Sequence, residues 1–113
     1  MSLEEYFSTG PSFERSVFDA VMAHLRTLGE PFLEPLSVGV FVKRNGVGVL
    51  QLRPMTKWVA LCLFMPRTVH DRRISRKPIQ TSRIVYHVVN VRGPEDVDDV
   101  VRGWITEAWD AAG

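Results

Sequence analysis

Three histidines, one cysteine and a run of carboxylates are the residues of this chain whose types could do chemistry. His87 lies in YHVVNV, where a neutral imidazole could act as a general base. Its phase argues for a quieter role. It alternates with Val85, Val89 and Val91, so a strand here turns it toward the same side as three apolar residues. A core histidine, hydrogen-bonded through its ring, is therefore the expectation. An enzyme would need a pocket joining His87 to Tyr86, Arg83 or Cys62. Cys62 sits inside the apolar run Leu61–Phe64, where burial would raise the thiol pKa and leave it inert. His24 falls in a helically spaced run, and His70 in a basic stretch where it could help bind an anion. No His or Cys pair has ligand spacing, so no metal and no cofactor are expected. Glu95, Asp96, Asp98 and Asp99 fall in the first turns of a helix, where negative charge complements the dipole; capping explains them without acid–base work. Gly46-Val-Gly48 lacks the strand-to-helix context of a phosphate loop. No residue is assigned a catalytic role.

The basic residues form the remaining set. Arg67, His70, Arg72, Arg73, Arg76, Lys77 and Arg83 are the candidate anion- or nucleic-acid-binding residues, because neutralising phosphates requires Lys and Arg on one surface. Trp58 and Tyr86 are candidate stacking aromatics, and with His87 they make a candidate pocket. Lys43 and Arg44, and Arg53 and Lys57, lie at opposite strand ends, which works against a single patch. The net charge of +1 hides an uneven distribution. Residues 1–30 hold two basic against five acidic side chains, residues 31–92 eleven against two, and residues 93–113 one against six. Such a chain should fold into a molecule with two differently charged regions.

These residues need elements to position them. Phe13, Val17, Phe18, Val21, Met22, Leu25 and Leu28 recur at helical spacing, with Gly10-Pro11 before them and Gly29 after, which predicts a helix over about 11–28. Leu3–Phe7 reads as a short extra turn. Ser37–Arg44 and Val47–Arg53 flank Asn45-Gly46, a strong type I′ hairpin signal. Pro54–Lys57 turns the chain into a third strand, Trp58–Met65, and Arg83–Arg92 makes a fourth. Between these two lies a connector near fifteen residues long, which in a compact domain is either functional or partly disordered. Gly93-Pro94 leads into a last helix ending near Ala111, with a stripe of Val97, Val100, Val101, Trp104, Ile105 and Ala108.

The 113 residues are one domain, and strands grouped between terminal helices define its class. The expectation is an α+β domain with a four-stranded, mainly antiparallel sheet and the two terminal helices on one face. Two-residue turns set Phe41 opposite Leu50 and Leu52 opposite Val59. One face then carries Gly39, Phe41, Leu50, Leu52, Val59, Leu61 and Leu63, and the other Val38, Val40, Val42, Val49, Gln51, Arg53, Trp58, Ala60, Cys62 and Phe64. Both faces are mostly apolar, and two helices cover only one. A lone cysteine forms no internal disulfide, and no apolar run reaches the roughly 18 residues of a membrane span. A reducing cytoplasm, with no membrane contact, is the default expectation, and no signal pattern opens the chain.

The stretches LEEYFSTGPSFERSVFDAV, QLRPMTK and YHVVNVRGPEDVDDVV resemble a bacterial family known as domain of unknown function 5655. The positions that carry the resemblance are Glu5, Phe7, Gly10 and Pro11, then Pro54 and Lys57, then His87, then Pro94 to Asp98. It covers nearly the whole chain and implies an α+β domain, found alone or appended to larger proteins, some nuclease-like. It brings no established activity. The stretch 70–83 is more basic than the resemblance implies.

The leading functional expectation is a small interaction module that self-associates through an apolar sheet face or captures a protein partner there. The rival is an accessory nucleic-acid or anion-binding domain that uses the basic connector at 67–83. The third is an enzyme centred on His87.

Overall fold

A computed structural model describes residues 2–8, 12–75 and 77–113, and of Ser12 and Phe13 only the backbone. Gly10, Pro11, the Phe13 side chain and Arg76, all named above, lie outside the described residues.

The predicted helices form for local reasons. α1 (Leu3–Phe7) is capped by Ser2, whose Oγ accepts the Glu5 N–H at 3.1 Å. α2 (Ser12–Leu28) buries Val17, Phe18, Val21, Met22 and Leu25 along one stripe. It stops at Gly29, whose N–H closes the last turn on the Leu25 carbonyl at 3.1 Å. Gly93-Pro94 opens a 3₁₀ turn (Pro94–Asp96). α3 (Asp99–Ala112) follows, with Asp98 as N-cap accepting the Val101 N–H at 3.0 Å.

The sheet is larger than expected. Six antiparallel strands run in the order β1 (Phe32–Leu36), β2 (Gly39–Arg44), β3 (Val47–Pro54), β4 (Val59–Met65), β6 (Val85–Val91), β5 (Ile79–Gln80). The expected four are therefore corrected to six. β1 contains Pro35, which reads as a breaker, yet an edge strand tolerates a residue with no N–H to give. β5 is two residues inside the connector and carries no periodicity to read. The Asn45-Gly46 turn is as predicted, with φ of 50° and 81°.

The register also departs from the expected one. Val42 faces Leu50 but Lys43 faces Gly48, so Val49 is an extra residue in β3. This bulge shifts β2 by one residue. Phe41 consequently faces Gln51 rather than Leu50, and Val40 and Val42 join the face of Leu50 and Leu52. In the next hairpin Leu52 faces Leu61 instead of Val59, a two-residue slide that leaves the faces unchanged. Val40, Leu50, Leu61 and Val89 share one buried cluster with the stripes of α2 and α3. Both long helices thus lie on one face of the sheet.

Candidate functional site

The face turned away from the helices presents Phe41 and Lys43 of β2, Gln51 and Arg53 of β3, Ala60, Cys62 and Phe64 of β4, and Tyr86, Val88 and Asn90 of β6. None of these joins the core cluster. Phe32 of β1 and Ile79 of β5 extend the same face at its two edges and are each 60% exposed.

An aromatic row crosses the face. The buried Phe64 ring stands edge-on between the half-buried rings of Phe41 and Tyr86, with centroids 5.6 and 4.9 Å away. Such contacts are worth about 0.5–1.5 kcal/mol each beyond burial. The row closes across β3 because Gly48 has no side chain. A Cβ there would come within 2.5 Å of Phe64 and 3.1 Å of Phe41. Two hollows flank the row. One, of about 250 Å³, is lined by Gln51, Arg53, Met55, Ala60, Cys62 and Val88. The other, of about 280 Å³, lies at the end of the sheet beyond β4, where Gly48, Phe64 and Arg83 meet Ala108, Ala111, Ala112 and Gly113 at the C-terminal end of α3. Near the Pro54–Lys57 turn, the Arg92 guanidinium lies over the Trp58 ring at 5.9 Å.

Cations predominate around this face, although Glu34, opposite Phe41, also lies on it. Arg53, Lys57, Arg72, Lys77, Arg83 and Arg92 are exposed and form no ion pair among the described residues. The two acids of residues 31–92 are occupied: Glu34 lies 3.6 Å from Lys43, and Asp71 is 3.9 Å from Arg73. The predicted basic set divides accordingly. Arg67 makes a two-pronged contact with Glu107 of α3 at 2.7 and 3.1 Å, which raises its pKa further. Arg73 reaches the α3 N-cap, 2.8 Å from Asp98. The Val101 N–H first, and then Arg73, hold the Asp98 carboxyl below its usual range. His70, Arg72, Lys77 and Arg83 remain exposed.

The connector at 66–84 is tied down at several of its described residues. Its Val69 and Ile74 pack on the core, Ile74 bridges Val89, and the Ser75 N–H donates to the Val88 carbonyl at 2.8 Å. It thus continues β5 as an irregular edge along β6.

His87 faces the helices and is 1% exposed, whereas Tyr86 faces away; the candidate pocket of Trp58, Tyr86 and His87 is therefore split by the sheet. Nε2 of His87 accepts the Val69 N–H at 2.9 Å, which makes Nδ1 the protonated nitrogen, donating to the Val85 carbonyl at 3.0 Å. Both nitrogens are committed, and burial lowers the pKa. Cys62 lies on the open face, half-buried, away from His87. Three of the four carboxylates of the run are likewise occupied: Asp96 accepts the Arg92 N–H at 2.9 Å, Asp98 caps α3, and Asp99 pairs with Arg102. Among the described residues no group of three His, Cys, Asp or Glu side chains could hold a metal, and no helix is long and apolar enough to cross a membrane.

One polar pair was not legible in the sequence. The Tyr6 hydroxyl donates to Oε2 of Glu14, which is 1% exposed, and Oε1 of Glu14 has no hydrogen-bond partner among the described residues. Burial raises both pKa values. The two residues straddle the break between α1 and α2, where no single periodicity relates them.

A family model for a domain of unknown function, DUF5655, matches residues 3–112, and the chain belongs to that family. The resemblance drawn from the sequence motifs therefore holds over nearly the whole chain. No curated protein and no solved structure matches it.

Proposed function

We propose that the protein is a binding module without a reaction of its own, and that the open face of its sheet takes an anionic partner. The observation that carries this reading is a half-apolar face, free of helices, beside which Arg53, Lys57 and Arg92 stand exposed and outside any ion pair among the described residues. His87, the residue best suited to catalysis by type, supports the non-enzymatic half of the reading, since both ring nitrogens are engaged inside the core. The face has enough apolar surface to suggest a second copy of the chain. A two-fold contact, however, sets each patch against itself. Arg53, Arg83 and Arg92 would then meet like charges, with Glu34 already beside Lys43. Charge complementarity favours an anionic partner over self-association. A reducing cytoplasmic setting suits the unbridged Cys62.

The test is retention on immobilised heparin, with sedimentation velocity in parallel. The expected result is retention at low ionic strength, release on adding salt, and a monomer in the centrifuge. A folded protein that ignores heparin and dimerises instead would return the face to self-association.

A further inference from the structure

We propose that the anionic partner is single-stranded nucleic acid, held by its bases on Phe41 and Tyr86 and by its phosphates on Arg53, Arg83 and Arg92. This rests on the reading of the open face as a surface for anions.

Three features narrow the partner. A single strand offers unpaired planar bases alternating with phosphates, and proteins that bind it combine aromatic platforms with a cationic track. The open face carries both. The aromatic row runs across β2, β4 and β6; an arginine-bearing hollow with Arg53 lies on the face beside it, and Arg83 stands beyond Phe64 at the end of the sheet, where the second hollow reaches the C-terminal end of α3. The Arg92–Trp58 contact adds a cation and a ring near the Pro54–Lys57 turn. Arginine suits the task, because its fork of donors matches phosphate oxygens.

Duplex DNA or RNA hides its base faces by stacking, so the aromatic row gives it nothing beyond charge. An acidic peptide would meet the same arginines, but extended peptides dock mainly by adding a strand to a sheet edge. Both edges here are poor for that. β1 carries Pro35, which has no N–H to donate, and β5 is two residues long. The charged halves of the molecule also orient it: the helix layer is rich in acid, so a polyanion is steered to the sheet side.

The experiment is fluorescence anisotropy with a labelled oligothymidylate, challenged in turn by a duplex of equal length, by heparin and by polyglutamate. The single strand is expected to bind about tenfold more tightly than the duplex, since stacking is lost when the bases are paired. Its affinity should fall with salt along a log–log slope of about −2, for phosphates on Arg53, Arg83 and Arg92. Tyr86→Leu and Phe41→Leu keep apolar bulk and remove the π-face, and each should weaken binding about tenfold. Arg53→Gln should reduce the salt slope by about one while leaving the thermal midpoint in place. Circular dichroism on every variant establishes that it is folded, and the Arg53 variant needs no core rearrangement. Equal affinity for strand, duplex, heparin and polyglutamate would overturn base recognition and leave the anionic-surface reading standing. No binding to any of the four by the folded protein at low salt would overturn both.

Discussion

At the scale of single residues, the fold carries two buried titratable groups that pull stability in opposite directions with pH. Glu14 is buried against Tyr6, with one oxygen unpartnered among the described residues, and burial raises its pKa. A raised carboxyl pKa gives stability that is full below the ordinary carboxylate value and is lost as pH rises through the folded value. Removing only the Tyr6 hydroxyl (Tyr6→Phe) leaves a buried carboxylate with no partner and should cost about 2 kcal/mol at neutral pH. The double variant Tyr6→Phe/Glu14→Leu removes both polar groups and should match or exceed the parent there. Urea denaturation across pH checks both, and the double variant should also lose this part of the pH slope. His87 behaves in the opposite sense. Its neutral form is the one the core accepts, so stability should fall as pH drops below the ordinary imidazole value of 6.5, where the unfolded chain takes up a proton first. In an NMR titration its ring should protonate below 6.5 and show the Nδ1–H tautomer at neutral pH. A ring titrating at or above that value would contradict the burial described here. The phase of His87 in YHVVNV was enough to place it in the core; its two partners, Val69 and Val85, were not legible, because Val69 arrives from the connector.

At the scale of elements, two glycines decide how neighbouring strands meet. Gly39 adopts φ of +156°, and a Cβ there would fall 2.1 Å from the Leu52 carbonyl oxygen. Gly48 meets the Phe64 ring instead, at 2.5 Å. A ring can swing, whereas a paired strand's backbone cannot. Gly39→Ala should therefore destabilise more than Gly48→Ala, for which about 1–3 kcal/mol is expected from overpacking. Thermal denaturation of the two variants gives the order, and a reversal would mean the strands can part at Gly39. The connector is the other decisive element. Its turn signals and basic composition suggested a loop, but the Asp71, Arg73 and Asp98 contacts and the Ile74–Val89 bridge hold it along β6. Arg73→Ala should speed hydrogen exchange at the Ile74 and Ser75 amides, whose acceptors are Asp71 and Val88, while α3 keeps its Asp98 cap. Unchanged exchange would show that Val69 and Ile74 anchor the connector by packing alone. The Arg73–Asp98 contact and the Ile74–Val89 bridge escaped sequence reading because each joins residues far apart in the chain.

At the scale of the whole molecule, the acidic–basic–acidic distribution resolves into two layers joined by a few bridges. Arg67–Glu107 and Arg73–Asp98 tie the basic connector to the acidic helix layer. Arg53, Lys57 and Arg92 are left on the sheet side. The protein should therefore bind a sulfonate cation exchanger at neutral pH more firmly than its net charge of +1 suggests. A double substitution of Arg53 and Arg92 by Gln should move elution to lower salt. Flow-through of the parent protein would show that the helix layer dominates its surface.

The amino-acid sequence alone determined whatever depends on near neighbours: the span of α2, the Asn45-Gly46 turn, the strand phase of His87, the acidic start of the last helix and the family. Helical period, turn chemistry and capping act over a few residues and so are written locally. Tertiary structure decided what depends on pairing at a distance. The extra residue at Val49 exchanged the faces of β2 and moved Phe41 to the open side, where it meets Phe64 and Tyr86. A period of two makes every side chain of a strand hostage to one inserted residue. The division of the arginines between α3 and the open face likewise emerged only when the two charged layers met, since a cation is free or occupied according to the carboxylates that folding brings beside it.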